Sequence, residues 1–265
     1  MIMKKPWESQ RKPFKIIGNV YFVGCYDASS HLIDTGDGLI LIDTGYPQNL
    51  YQVIENIYQL GFNPHDVKYI IHSHGHYDHC GGTKAFVELY GSKTFIGKGD
   101  EDYVNGKLNL TWANELGDEY HEAFEADYIM HDQDEICLGN TKITILSTPG
   151  HTPGTVSIFF ETEEDGKKYL VGMHGGVGTN SMELEWLDGY GLSHDCRQAF
   201  LDGIERLKKI DVDVFLGNHC WNNDTMGKYE KSLTAKENPF IDPEGWKAFL
   251  EEKRLLVSQM IAENR

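Results

Sequence analysis

The sequence predicts an α/β protein built from two strand-and-helix halves folded over one another. Three observations carry that reading. Short apolar runs bounded by glycine and acidic turn residues recur along the chain, helix-period stretches lie between them, and three of the runs end in histidine. The chain has 265 residues, 40% of them hydrophobic and 12% aromatic, which is enough to bury a sizeable core. Residues 1–265 are expected to form one domain.

The elements follow in order. Residues 19–23, 30–33 and 38–42 read as short strands, the last two joined by the hairpin signal Gly36-Asp37-Gly38. Residues 49–60 read as a helix, with Val53, Ile54, Ile57 and Leu60 on one stripe and Gly61 as its stop. The apolar run 67–71 is a buried strand, 82–90 a helix closed by Gly91, and 94–96 another strand. Residues 100–132 are irregular and rich in aromatics (Tyr103, Trp112, Tyr120, Phe124, Tyr128), and part of the stretch is helical. They form either a wall or lid over a pocket or ordinary packing over a long connection.

The second half starts like the first. Residues 141–147 and 155–160 read as strands around the rigid turn Thr148-Pro149-Gly150-His151-Thr152-Pro153-Gly154. Glu163-Glu164-Asp165-Gly166 is a hairpin turn, with 168–173 as the returning strand. Residues 193–208 form a helix with Phe200, Leu201, Ile204 and Leu207 inward, and 212–216 a last buried strand. Asp242-Pro243 opens a terminal helix carrying Trp246, Phe249 and Leu250.

Charge and cysteines narrow the function. A net charge of −17 repels phosphate backbones and anionic lipid, so neither nucleic acid nor a membrane surface is an expected partner. The first seven residues carry two lysines with no apolar run behind them, and no stretch is long enough to span a bilayer. The cysteines are odd in number and scattered (Cys25, Cys80, Cys137, Cys196, Cys220), which points to a reduced, cytoplasmic protein.

The chemistry is concentrated in His72-Ser73-His74-Gly75-His76-Tyr77-Asp78-His79-Cys80, delivered by the strand before it into a loop at its carboxyl end. Imidazole and carboxylate together suit zinc or a similar first-row metal. His151 and His219 stand at the ends of two other apolar runs. His74 and His76, two apart on an extended segment, point the same way, whereas Asp78 and His79 fall where the loop turns into a helix and aim elsewhere. The natural division is two metals: His74, His76 and His151 on one, and Asp78, His79 and His219 on the other. Each then has three protein ligands and an open position, the pattern of a catalytic rather than a structural site.

This His-x-His-x-Asp-His motif, with Leu41-Ile42-Asp43-Thr44-Gly45 before it and Gly150-His151 and His219 after it, resembles the metallo-β-lactamase superfamily over nearly the whole chain. The resemblance implies an αββα sandwich with two zinc ions (Zn2+) at one edge of its sheets. It also implies hydrolysis of a small carbonyl substrate by metal-activated water, with Asp78 orienting the nucleophile as the catalytic residue. Most hydrolases of the superfamily have a strand ending in Gly-Asp, whose aspartate bridges the metals. Here that strand reads Leu170-Val171-Gly172-Met173-His174, and Met173 cannot bridge. Loss of that position with all six other ligands kept is similar to the third subclass of metallo-β-lactamases. So are Asn19-Val20-Tyr21-Phe22-Val23-Gly24, Ser29-Ser30-His31-Leu32-Ile33 and the turn around His151. The implied substrate is a β-lactam amide, and the second metal is expected to bind more weakly. The alternative is a cytoplasmic lactonase- or thioesterase-type metabolic hydrolase with little β-lactam activity.

Other histidines and cysteines read more plainly. His72 is packed or hydrogen-bonded, and His31 belongs to the core. His65, His121, His131 and His194 lie in polar surroundings at the surface. His174, next to the absent aspartate, is a loop residue or supports a ligand, with direct reach to a metal or the substrate as the alternative. Cys80 and Cys220 point away from their ligand neighbours into packing, and Gly81-Gly82 lets the helix start close to the metals. Asp43 fixes the loop. Trp221 with Asn222-Asn223-Asp224 either lines the pocket or anchors a turn. A flavodiiron-type redox role would want glutamate at His76, a nuclease would want a basic clamp, and a metal-holding module would lack an open position.

Overall fold

The computed structural model describes residues 5–117 and 122–265; Tyr120 and His121 lie outside them. Two sheets make its centre. The first holds seven strands in sequence order: β1 (Phe14–Ile17), β2 (Val20–Phe22), β3 (His31–Asp34), β4 (Leu39–Ile42), β5 (Val67–Ile71), β6 (Lys93–Gly97) and β7 (Tyr128–Met130). The strands β1 to β4 form an antiparallel meander, and β4 to β7 run parallel. Parallel neighbours need crossovers. These are α1 (Leu50–Gln59), then α2 (Tyr77–Cys80) with α3 (Thr83–Tyr90), then α4 (Glu101–Val104) and the long stretch after it.

The second sheet has five strands: β8 (Glu135–Leu138), β9 (Thr141–Ser147), β10 (Val156–Glu164), β11 (Lys167–His174) and β12 (Val214–Phe215). The strands β8 to β11 are antiparallel, and β12 joins β11 in parallel after α5 (Leu184–Tyr190) and α6 (Cys196–Leu207). Two helices close the chain, α7 (Thr225–Ser232) and α8 (Pro243–Ala262), the latter capped by the Asp242 side chain at Gly245 N–H.

Side-chain alternation produces the layers. From β4, Ile40 and Ile42 enter a core between the sheets with Ile143, Ile145, Ile158 and Val171, while Leu39 and Leu41 turn outward to meet Val53 and Ile57 of α1 and Phe86 of α3. On the far side, Phe159 and Phe215 pack against Phe200 and Ile204 of α6 and Trp246 and Phe249 of α8. The order is therefore helix, sheet, sheet, helix, the αββα sandwich expected from the sequence.

Five elements were not anticipated: β1, β7, β8, α5 and α7. The hairpin reading of residues 163–166 is also corrected. β10 continues through Glu161–Glu164 opposite Leu170–Lys167, with Lys168 and Glu161 side chains paired at 2.9 Å, and the turn is only Asp165-Gly166, both at positive φ (52° and 73°). A strand whose outer half is charged gives no apolar run.

Candidate metal centre

The site forms where strands of both sheets end. Asp43 follows β4, residues 72–79 follow β5, Asp100 follows β6, His151 follows β9, Gly178 and Ser181 follow β11, and His219 follows β12. His76 is extended (φ −78°, ψ 150°) and caps α2, so Asp78 and His79 sit on a helical turn and project differently from His74 and His76.

Five of the six expected ligand side chains converge, and the sixth, His219, lies beside them. Ring nitrogens of His74, His76 and His151 lie within 4.8 Å of one another, and so do ligand atoms of His74, Asp78 and His79. His219 stands at the margin, its ring 5.0 Å from that of His79 and its Nε2 3.9 Å from Asp78 Oδ2. His74 is thus close to both halves of the cluster, with ring centroids 4.3 Å from His79 and 4.7 Å from His151.

Hydrogen bonds orient the rings. Nδ1 of His151 donates to Gly178 O at 2.8 Å, and Ser181 Oγ lies 3.0 Å from the same nitrogen while donating to His151 O at 2.7 Å. Nδ1 of His79 meets Asp43 Oδ2 at 2.9 Å. Nδ1 of His74 meets Ser73 Oγ at 3.1 Å, and Nδ1 of His219 meets Asp27 O. With Nδ1 engaged, Nε2 is left as the free donor atom. The Nε2 atoms of His74, His76 and His79 are buried without a hydrogen-bond partner; that of His79 has only Asp78 Oδ2 at 3.2 Å. Each buried orphan costs about 1–3 kcal/mol, and a cation between them removes that cost. The donor set, histidines with one carboxylate, fits zinc.

Electrostatics agree at four of the cluster's five histidines, His79 being the exception. Burial, reinforced by neighbouring histidines, holds His74 and His76 well below their ordinary pKa, and burial brings His151 and His219 to about 4. These four are neutral at pH 7, as ligation requires. Burial alone would raise the Asp78 carboxyl, but His79 and His219 outweigh it and hold it well below the usual range. Burial alone would lower His79, yet Asp78 and Asp43 raise it to about 10.

Sequence reasoning missed Asp100. It is fully buried and accepts from Gly75 N–H at 2.7 Å, Gly154 N–H at 2.7 Å and Thr152 Oγ at 2.6 Å, so one carboxylate clamps the His74–His76 loop to the His151 turn. A Cβ at Gly154 would lie 2.5 Å from Gly97 O and 2.6 Å from Asp100 Cγ, which is why that position is glycine. Burial raises the Asp100 carboxyl to about 6. Lys98-Gly99-Asp100 directly after a strand was the available signal. Ser181 and Gly178, whose bonds orient His151, were also missed.

The remaining assignments fall outside the cluster. His72 is buried with Nε2 3.2 Å from Thr83 Oγ1. His174 is buried against Phe200, accepts from Gly176 N–H at 3.3 Å and is lowered by burial to about 3. Met173 packs between the sheets and His31 beside Phe22. Cys80 packs with Ile96 and Val104, and Cys220 against Ser29 and Cys25. His65, His131 and His194 are exposed. Asp43, at φ 59°, takes Ser73 N–H at 2.8 Å and Ser73 Oγ at 2.6 Å as well as His79, so it fixes the loop as expected.

A cavity of about 430 Å³ opens over His76, Asp78, His151 and His219. Trp112 and Leu116 of the aromatic stretch line it, so that stretch supplies a wall. Trp221 lines it too, stacked on His219 at 4.5 Å and 6°.

A family model of the metallo-beta-lactamase superfamily matches residues 23–164. The chain belongs to that superfamily. An N-acyl homoserine lactonase of Bacillus cereus is 31% identical over 225 residues, covering 74% of this chain and 80% of the lactonase. Among solved structures, the native FEZ-1 metallo-beta-lactamase from Legionella gormanii is similar at a TM-score of 0.89 with 29% identity, covering 97% of both chains. The class B3 di-zinc metallo-beta-lactamase LRA-12 from an Alaskan soil metagenome is similar at 0.86 with 25% identity, covering 98% of both. This superfamily member is a hydrolase, with a histidine-rich cluster able to hold a metal and a fold close to that of the class B3 enzymes. Among the described residues no helix is long and apolar enough to cross a membrane.

Proposed function

We propose that this hydrolase opens a β-lactam amide bond. His74, His76 and His151 hold one zinc, and Asp78, His79 and His219 hold a second. The observation that carries the reading is the set of buried, unpartnered Nε2 atoms converging beneath an open cavity, in a fold whose neighbours include class B3 metallo-beta-lactamases. Zinc held there supplies Lewis acidity toward a carbonyl oxygen and makes water acidic enough to attack near neutral pH. Asp78, held ionised, orients that water. Met173 contributes no carboxylate between the sites, so the second zinc binds more weakly than the first.

A second reading, a lactone- or thioester-opening metabolic hydrolase, is favoured by the lactonase relatives. Five free cysteines support a cytoplasmic setting, in which this reading is the more natural one. The net charge of −17 supports a small-molecule substrate rather than nucleic acid, and the core shared by both sheets supports a single domain.

Metal analysis of the purified protein, coupled to a hydrolysis screen of β-lactams, lactones and thioesters with and without chelator, tests both readings. β-Lactam turnover abolished by chelator is expected. A lactone or thioester turned over far faster establishes the second reading, and activity indifferent to chelator refutes both. Asp78→Ala should keep the fold by circular dichroism and lose activity; near-normal turnover would refute its role.

A further inference from the structure

A second cleft, of about 370 Å³, adjoins the metal cavity, and Trp112 and Asn180 line both. Trp186 and Tyr190 of α5 extend the wall. The ring centroids of Trp112 and Trp186 are 5.1 Å apart, and those of Trp186 and Tyr190 are 5.0 Å apart. Glu115 accepts from Trp186 Nε1 at 3.1 Å and from Tyr190 Oη at 2.6 Å, so the polar edges of both rings are satisfied and their orientations fixed. Tyr190 is 43% exposed and both tryptophans are half-buried, so aromatic surface is open to a ligand.

Trp112 is under constraint. Its φ of 68° lies in the left-handed region, which bulky side chains rarely adopt. Such strain persists where surrounding structure imposes it, and it gathers at ligand-contacting segments. Tyr77 N–H donates to Thr111 O at 2.8 Å, tying the residue before Trp112 to the metal loop, and the Trp112 ring stands 6.0 Å from that of His76.

The charge around these rings is negative. Glu183 and Glu185 line the cleft and no lysine or arginine does. Glu183 is paired with Arg265 at 3.1 Å, but no cation pairs with Glu115 or Glu185 among the described residues. Three aromatic rings beside the unpaired carboxylate of Glu185, on a chain of net charge −17, recognise a cation.

We propose that this cleft is a subsite for an organic ammonium group, carried on an arm of the substrate whose carbonyl lies in the adjoining cavity. The last clause rests on the hydrolase reading; binding of the cation does not. The test is a titration of choline, and of its neutral isostere 3,3-dimethylbutan-1-ol, into zinc-loaded and chelator-treated protein, followed by tryptophan fluorescence and calorimetry. Choline should bind on the order of tenfold more tightly than the isostere, with or without zinc. Trp186→Leu should abolish the preference, Trp186→Phe should retain part of it, and Glu185→Gln should weaken choline alone; circular dichroism checks that each variant is folded. Equal affinity for the two probes, no saturable choline binding, or choline binding unchanged in folded Trp186→Leu each overturns the proposal. Because the readout is binding, a failed hydrolysis screen leaves the result standing.

Discussion

Replacing Asp100 with asparagine should change stability by an amount that depends strongly on pH. Asp100 is fully buried, and its carboxyl is pushed up to about 6 from an ordinary 3.8, chiefly by burial, against the pull of three hydrogen bonds. A carboxyl with a higher pKa in the folded chain binds its proton more tightly when folded. Its contribution is therefore complete below 3.8 and is lost as pH rises through about 6. The gap corresponds to about 3 kcal/mol. Asparagine carries no such titration but has only one acceptor oxygen for Gly75 N–H, Thr152 Oγ and Gly154 N–H. One buried donor is left facing an NH2 group, which costs about 1–3 kcal/mol at every pH.

The two effects have opposite signs at neutrality. Near pH 4 Asp100→Asn should be less stable than the wild type by the orphaned donor alone; near pH 7 that deficit should be offset. Urea unfolding of both chelator-treated proteins, followed by tryptophan fluorescence, should show the difference shrinking by about 2 kcal/mol across this range. Histidines that titrate nearby cancel in the difference so long as they do not touch residue 100. A difference that is flat with pH, or that widens as pH rises, would refute the assignment of a buried, costly carboxylate.

Three further outcomes are expected. Ser181→Ala removes one of the two partners of His151 Nδ1 and should weaken zinc binding about tenfold in chelator competition, while changing the stability of the metal-free protein by only about 1 kcal/mol; unchanged zinc affinity would show that Gly178 O alone holds the ring. In native protein a thiol reagent should modify exposed Cys137 first and half-buried Cys196 slowly. Burial raises Cys25 to about 11 and Cys220 to about 12 and lifts Cys80 well above its usual range, so these three should react only on unfolding, as mass spectrometry of the labelled peptides would show. Trp246→Ala empties a fully buried site between Phe215 and Phe249 and should cost about 3–5 kcal/mol in chemical unfolding; a cost under about 1 kcal/mol would mean that the core beneath α8 is not closely packed.

The parts of this fold that were legible in the sequence are those in which local pattern and tertiary environment agree. The run Tyr69-Ile70-Ile71 is apolar because β5 is covered on both faces, and the histidines begin where that strand ends. Elements that escaped lacked such agreement. β7 is three residues long and half exposed, held by its pairing with β6 rather than by any periodicity of its own. α5 contains Gly189 and buries only Leu187, so no apolar stripe marks it. Asp100 is one of 41 acidic residues, and only the approach of Gly75 and Gly154, both remote in sequence, sets it apart.

Asp43 and Asp100 also bear on how this centre keeps its shape with methionine at 173. The alternation of β11 sends Met173 into the core between the sheets and His174 toward Phe200 on the other side, so neither supplies a carboxylate to the cluster. The geometry must then be fixed from outside. Asp43 binds the end of β4 to Ser73 and His79, within the first sheet. Asp100 binds Gly75 of the first sheet's loop to Thr152 and Gly154 of the second. One carboxylate thus orients a ring on Asp78's side of the cluster, and the other sets the distance between the two histidines of the loop and the one that crosses from the facing sheet. Both are essentially sealed from solvent, with 1% and 0% exposure, where low polarizability strengthens each bond to the ionised form and water cannot compete for it. A cluster built this way needs no carboxylate at residue 173 to hold its histidines and Asp78 together.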